Sequence, residues 1–404
     1  MVLRGHVALT VVTVAALVSV ILLAHSFEYN AVPRPAGLEY IKQKPDRKVM
    51  KPICPPNQTL SGVEDLLCMK IPTFMSDYKN PCWRRKDGQL RCLPYFMLIG
   101  MDKSGSSDLF DRITKHPDIL GNGGEIGKET WWWSWSRYGY NLINRVKTQK
   151  FEDYLNLFKH STQTINSPNK TDSNGFHFAI TGDGTPMDAW DFRGWTQIPQ
   201  NKGLQEPKFL TPDLVQHVNK NMKLIIIMRN PIERLYSDYF FLKLAGQSSE
   251  AFHNSVVASI DILGKCLSRH PMLTCLSGTK EHQCWNRAAR IHIGFYSEYV
   301  LEWLRVFPRD QILFLRTEDY SADLSGHLAK VFSFLGSRPL TASEITSYGI
   351  DLKTKKHVTQ SKKTKGPMLE KTRAILSTLY EPYNKKLANI LQDNRFLWKD
   401  SKAR

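Results

Sequence analysis

The chain has 404 residues and a formal net charge of +17, from 55 Lys and Arg against 38 Asp and Glu. Hydrophobic residues make up 42% and aromatics 11%, enough for a sizeable core, which excludes a mostly disordered chain. The basic surplus predicts an anionic partner: nucleic acid, an anionic lipid surface, a phosphorylated nucleotide or an acidic polymer.

The first element is a run without charge from Val7 to Ala24. As a helix it would be about 27 Å long, enough for a thin bilayer. Arg4 precedes it and Glu28 follows, so the positive-inside rule leaves residues 1–6 as a cytosolic tail and sends the rest into a lumen. A cleaved signal peptide is the alternative. The apolar run is long for one, and a clean small-x-small cleavage site is missing, so a single-pass signal anchor over 7–24 is expected. Both readings place the remainder in an oxidising compartment. Residues 25–53 carry Pro33, Pro35, Pro45 and Pro52 and few large apolar side chains, as a stem would. The folded domain is expected over 54–404. Asn57-Gln58-Thr59 and Asn169-Lys170-Thr171 are glycosylation sequons, which suit a luminal chain.

Seven cysteines fall in two groups, four early and three late. They form no Cys-x-x-Cys pair and no His stands at ligand spacing, so no metal site is expected and disulfides are. Joining near neighbours gives Cys54–Cys68, Cys82–Cys92 and Cys275–Cys284, with Cys266 left over.

Tyr95–Gly100 is a short apolar run that predicts a buried strand. Met101–Ser107 follows as a Gly/Ser-rich loop, and Asp108–Ile113 has helical periodicity. Strand, loop and helix in that order offer backbone N–H groups, hydroxyls and a helix N-terminus to an anion. Lys103 adds a cation. It precedes Gly105 instead of following it, so this is not the nucleoside-triphosphatase loop. Lys223–Met228 predicts a second buried strand, ending in Arg229-Asn230-Pro231 and then a helix. Arg229 therefore stands at the C-terminal end of a strand, where open α/β sheets bind ligands. Ser237 lies about two helical turns further on. Arg229 and Ser237 together could grip a phosphate, or Arg229 could pair structurally with Glu233.

These elements, in this order, resemble the sulfotransferases that use 3′-phosphoadenosine 5′-phosphosulfate. Lys103–Ser107 is similar to their 5′-phosphosulfate loop, and Ile226–Ser237 to their 3′-phosphate motif. Lys128-Glu129-Thr130 resembles a segment of the Golgi carbohydrate branch of that family. Gly182–Pro186, Ile312–Asp319 and Lys365-Gly366-Pro367-Met368 resemble later segments, the last a loop that closes over the donor. A narrower likeness, carried by Tyr78–Trp83, Cys92–Phe96, Trp131-Trp132-Trp133, Tyr380–Asn384 and Phe396–Trp398, is to the enzymes that sulfate C6 of N-acetylgalactosamine 4-sulfate in chondroitin or dermatan chains. The loop departs from them, with Ser104-Gly105-Ser106-Ser107 in place of Cys-Gly-Thr-Thr; the hydroxyls are kept.

The resemblance implies an α/β fold, P-loop-like, with a mostly parallel central sheet flanked by helices, in a type II protein of the Golgi membrane. It implies a sulfonate donor bound by Lys103, Ser104, Gly105, Ser106 and Ser107 at its 5′ end. Arg229 and Ser237 would hold the 3′-phosphate, and Lys365 and Gly366 would close over it. Glu129 would act as general base, Lys103 would stabilise the leaving group, and Lys128 would orient the reactants; no metal is required. Heparan sulfate or another glycan is the alternative acceptor, and a non-catalytic glycosaminoglycan-binding protein of the same fold is the alternative outside enzymes. Four Trp in five residues, Trp131–Trp135, cannot all point one way; most are expected in the core, with one or more stacking on a sugar. His116 is expected to be structural. From Asp351 to Arg404 there are 14 Lys and Arg against 5 Asp and Glu, which predicts contact with a sulfated, carboxylated polysaccharide.

Overall fold

A computed structural model describes residues 50–54, 63–141, 146–278, 288–353 and 366–399. The predicted anchor, most of the stem, the Asn57 sequon, Cys284 and Lys365 lie outside the described residues. Among those described, no helix is long and apolar enough to cross a membrane. Asn169 is exposed.

Two short strands, β1 (Cys82–Arg84) and β2 (Leu90–Cys92), form an antiparallel hairpin in which Cys82 stands opposite Cys92. A disulfide joins them, and another joins Cys54 to Cys68. The third pairing differs from expectation. Cys275 bonds to Cys266, not to Cys284. Helix Ser249–Leu267 ends at a tight turn and helix Met272–Ser277 starts just after it, which brings the two Cα atoms to 5.9 Å. Counting along the chain could not see that turn. Replacing both Cys82 and Cys92 by Ser should lower unfolding stability by about 2.5–3 kcal/mol, the loop-closure value for so short a ring. An unchanged denaturant midpoint would refute this.

The main sheet has five parallel strands: β3 (Phe96–Gly100), β4 (Ile119–Leu120), β5 (Ile180–Asp183), β6 (Lys223–Met228) and β7 (Ile312–Arg316). Their spatial order is β4-β5-β3-β6-β7. Parallel strands are buried on both faces, so their sequences read as continuous apolar runs. The alternation is still visible in the packing. Met97, Ile99, Leu224, Ile226, Met228, Ile312 and Phe314 enter the larger core on one face. Phe96, Leu98, Ile225, Ile227, Leu313 and Leu315 enter the smaller core on the other.

Six helices matter below: α1 (Ser106–Ile113), α2 (Pro231–Leu242), α3 (Ser249–Leu267), α4 (Met272–Ser277), α5 (Tyr296–Val306) and α6 (Glu370–Leu391). From β3 the chain moves outward to β4 and returns through β5. It then crosses to the far side of β3 to form β6 and β7. The connections leaving β3 and β6 therefore diverge, which opens a crevice at their C-terminal ends.

Candidate functional site

The crevice is built by the turn after β3. The backbone is left-handed at Lys103 (φ 58°) and at Gly105 (φ 93°). A side chain at Gly105 would be strained there, and Lys103 carries that strain itself, at about 1–2 kcal/mol. The turn leads into α1 without a side-chain cap, so the first N–H groups of α1 stay open to an anion. Ser104 and Ser106 are buried and Ser107 half-buried. Thr317, just after β7, holds the turn from below. Its hydroxyl donates to the Ser104 carbonyl at 2.5 Å and lies 3.1 Å from the Met228 carbonyl, so one side chain ties the ends of β3, β6 and β7 together.

Arg229 leaves β6 beside this turn, its guanidinium 3.5 Å from the Lys103 carbonyl. Asn230 ends the strand and starts α2: its side chain accepts the N–H of Ile232 at 2.9 Å, and Pro231 takes the first helical position. Tyr296 of α5 donates to the Arg229 carbonyl at 2.9 Å and sets its height. The structural partner weighed for Arg229 is only loosely engaged. Glu233 stands 4.0 Å away and is closer to Arg373 of α6, at 3.0 Å. Ser237 is buried on α2, and the neighbouring Tyr236 hydroxyl donates to the Gly366 carbonyl at 2.9 Å. The turn at Lys103 meets Arg229 at one end of the sheet, while Ser237 follows on α2 next to Tyr236, which is tied to Gly366.

The Lys103 ammonium sits 3.3 Å from the centre of the Phe241 ring, a cation–π contact at the rim of the crevice, where Phe241 is 55% exposed. Burial pushes the Lys103 amine down, and the nearby carboxylates of Asp238 and Asp102 oppose that shift. Those carboxylates are held by Arg290. It bonds Asp238 with Nε at 2.8 Å and Nη2 at 2.5 Å and lies 3.9 Å from Asp102. Asp102 also accepts the Trp190 indole N–H at 2.9 Å. Burial pushes the Asp102 carboxyl up, with Arg290 pulling the other way.

Lys128 and Glu129 follow the short β4 strand and face the exit of β5. Gly184 is required here, since a Cβ would stand 2.6 Å from the Lys128 side chain. Lys128 is buried and its ammonium is 2.5 Å from Glu129 Oε1. Burial pushes this amine down and Glu129 pulls it up. Glu129 Oε2 accepts the Trp131 indole N–H at 2.8 Å. The charge of Glu129 is felt at Asp102, next to Lys103. The next residue, Thr130, is tied into the core: its hydroxyl donates to Asp183 at 2.7 Å at the end of β5.

The Trp cluster divides as its density required. Trp132, Trp133 and Trp135 are buried, whereas Trp131 is half-buried with a left-handed backbone (φ 54°). Trp131 lines two cavities. One, of about 320 Å³, contains Glu129; the other, of about 560 Å³, contains Lys147. His116 is buried, with one ring nitrogen 3.0 Å from the Arg338 carbonyl and the other accepting the Asp118 N–H at 3.1 Å, a structural arrangement. Sequence reasoning did not find Arg290, Thr317 or Phe241. Thr317 falls within the Ile312–Asp319 segment but carried no signal of its own, Phe241 comes from the end of α2, and Arg290 reaches the crevice from a separate segment.

The family described as "Sulfotransferase domain" matches residues 94–379. The chain is 32% identical over 324 residues to human carbohydrate sulfotransferase 15, covering 78% of this chain and 56% of that protein. It is 27% identical over 249 residues to heparan sulfate glucosamine 3-O-sulfotransferase 3A1 of Mus musculus, covering 60% and 46%. The solved sulfotransferase of Alicyclobacillus acidocaldarius superposes with a TM-score of 0.45 at 18% identity, over 74% of this chain and 96% of that one. The chain spans about half the length of the curated relatives it matches.

Proposed function

The chain belongs to the sulfotransferase domain family, and on that premise we propose that it transfers a sulfonate from 3′-phosphoadenosine 5′-phosphosulfate to a glycosaminoglycan hydroxyl. The acceptor we favour is C6 of N-acetylgalactosamine 4-sulfate in chondroitin or dermatan chains. The setting is the Golgi lumen, with residues 7–24 as the anchor of a type II protein. One observation carries the reading. Lys103 and Arg229 lie side by side at the switch point of the sheet, above an open helix N-terminus.

The residues fit the donor. The hydroxyls of Ser106 and Ser107 make no hydrogen bond among the described residues, and the N-terminus of α1 that carries them has no side-chain cap. Arg229 and Ser237 offer a fork of donors and a hydroxyl to a second phosphate. Gly366, tied to Tyr236, brings the start of the segment after residue 365 against α2; Lys365, outside the described residues, keeps the donor-closing role that the family resemblance gives it.

Sulfuryl transfer is an in-line displacement. The acceptor oxygen forms a bond to sulfur while the bond from sulfur to the 5′-phosphate oxygen breaks. Positioning and charge stabilisation dominate such reactions. Glu129 takes the proton of the attacking hydroxyl. Lys128 holds that carboxylate from one side and Trp131 from the other. Lys103 offsets the charge that grows on the departing phosphate oxygen. Its half-buried ammonium has no carboxylate in direct contact among the described residues and rests on the Phe241 ring.

Lys103→Ala should lower kcat by about 10²–10³ with the thermal midpoint unchanged, the usual loss when one donor to a developing charge is removed. Wild-type turnover in that variant would end the role assigned to Lys103. The whole reading is tested with a radiolabelled sulfonate donor and a panel of desulfated, 4-sulfated and heparan-type chains. Label should enter 4-sulfated chondroitin, and disaccharide analysis should place it on C6. Transfer to none of the chains refutes the reading.

A further inference from the structure

Helix α2 turns most of its aromatic residues inward. Tyr236, Tyr239 and Phe240 are buried and pack edge-on with Phe252 of α3, Tyr236 to Phe240 at 4.8 Å and Tyr239 to Phe252 at 5.1 Å between ring centres. Phe241 is the exception. It is more than half exposed, beside a core that has taken its neighbours. It stands one helical turn after Ser237, so the two share a face of α2. The face that carries Ser237 therefore also carries this ring to Lys103.

The contact between them is close. Lys103 Nζ lies 3.3 Å from the centre of the Phe241 ring, well inside the roughly 6 Å reach of a cation–π attraction. The turn fixes the Lys103 backbone in the left-handed region, but it does not fix the end of a long, flexible stem. Burial pushes the Lys103 amine down, Asp238 and Asp102 oppose that, and Arg229 and Arg290 add to it. The ammonium thus sits where its charge needs support and where two guanidinium groups repel it.

Two kinds of group could hold it. A carboxylate in contact would cancel charge that the anionic donor has to meet. A ring face attracts the cation through its quadrupole and adds no negative charge. An aliphatic side chain of similar size would supply surface without that attraction. Phe241 therefore keeps Lys103 in one place with its full charge, which neither alternative does.

We propose that Phe241 is a positioning residue for sulfonate transfer: its ring holds the Lys103 ammonium at the rim of the crevice, aimed at the 5′-phosphate oxygen from which sulfur departs. Phe241 acts through Lys103 and touches neither the bond that forms nor the bond that breaks. The inference rests on the role given to Lys103 above and adds the residue that aims it.

The test is sulfonate transfer by the full chain, from a radiolabelled donor to 4-sulfated chondroitin. For each variant kcat, the Kd for adenosine 3′,5′-bisphosphate and the melting midpoint are measured. Phe241→Leu keeps an apolar side chain and removes the ring. It should lower kcat about fivefold, the rate equivalent of one cation–π contact, with Kd within about twofold and the melting midpoint unchanged. Phe241→Tyr should restore kcat. Fluorine atoms placed on the Phe241 ring, one, two and then three, drain its face of electron density with little change of shape, and kcat should fall at each step. In a Lys103→Ala background, Phe241→Leu should cost nothing further, because the two side chains act as one unit. Wild-type or faster turnover in Phe241→Leu, a flat response to fluorine, or the same loss again in the Lys103→Ala background overturns the proposal and leaves the enzyme reading standing. A weakened Kd at unchanged kcat makes the ring a nucleotide contact and overturns it too. No transfer by the wild type overturns the enzyme reading, and this inference falls with it.

Discussion

Glu129→Gln should lower kcat by about 10²–10⁴ while the affinity for adenosine 3′,5′-bisphosphate stays within twofold, because a general base acts on the acceptor proton and not on donor binding. The competing account is that Glu129 only neutralises Lys128, whose buried ammonium lies 2.5 Å away. Lys128→Gln separates the two. It dissolves the pair but keeps the carboxylate, and the Trp131 indole still holds Glu129 at 2.8 Å. If Glu129 is the base, Lys128→Gln keeps most of the turnover that Glu129→Gln loses. If the pair is structural, both variants lose activity alike and both lose thermal stability. The measurements are single-turnover transfer rates and melting curves for the three proteins.

Arg290→Met should destabilise the folded domain by about 3–5 kcal/mol, the range for leaving a buried partner uncompensated. The melting midpoint should fall by on the order of 10 °C. The reason lies in what Arg290 holds. Burial alone would push the Asp238 carboxyl up; Arg290, through its charge and two hydrogen bonds, and Arg234 bring it below the ordinary value. In the native protein this contribution is present above the usual carboxylate range and is lost only as pH falls below it. Without Arg290, burial dominates and the sign reverses. Asp238 then binds its proton more tightly folded than unfolded, so the variant loses stability as pH rises. The gap between wild type and variant should therefore widen from pH 4 to pH 7. A constant gap across that range would refute this account of Arg290. Arg290→Lys should not rescue, because a single ammonium cannot reproduce the two parallel bonds to Asp238. The loss should also reach the crevice, since Asp102 and Asp238 are the carboxylates that favour the charged form of Lys103.

The sheet was legible because its signal is local. Three of its strands are short runs of apolar residues buried on both faces, and a run such as Leu224–Met228 can be little else. The turn at Met101–Gly105 was legible for the same reason: a strand, a Gly/Ser stretch and a helical period are neighbours in sequence. So was Arg229, the first residue beyond its strand. The disulfides mark the limit. Cys82–Cys92 spans one hairpin and followed from proximity in the chain, whereas Cys266–Cys275 depends on how α3 turns into α4.

The sequence by itself determined two buried core strands, the placement of Lys103 and Arg229 just beyond their ends, and a surplus of positive charge suited to anionic substrates, while the parallel sheet came with the family resemblance. The first three follow from composition and from periodicities within a few residues. Only the tertiary structure decided that β3 and β6 lie side by side, which sets Arg229 within 3.5 Å of a carbonyl 126 residues earlier in the chain. It also decided that Arg290 and Thr317 stand behind the site, and that Trp131 is the member of its cluster left half-open beside Glu129. Strand order and the burial of one indole among four are settled by packing between distant segments, and nothing within a short stretch of sequence carries that information.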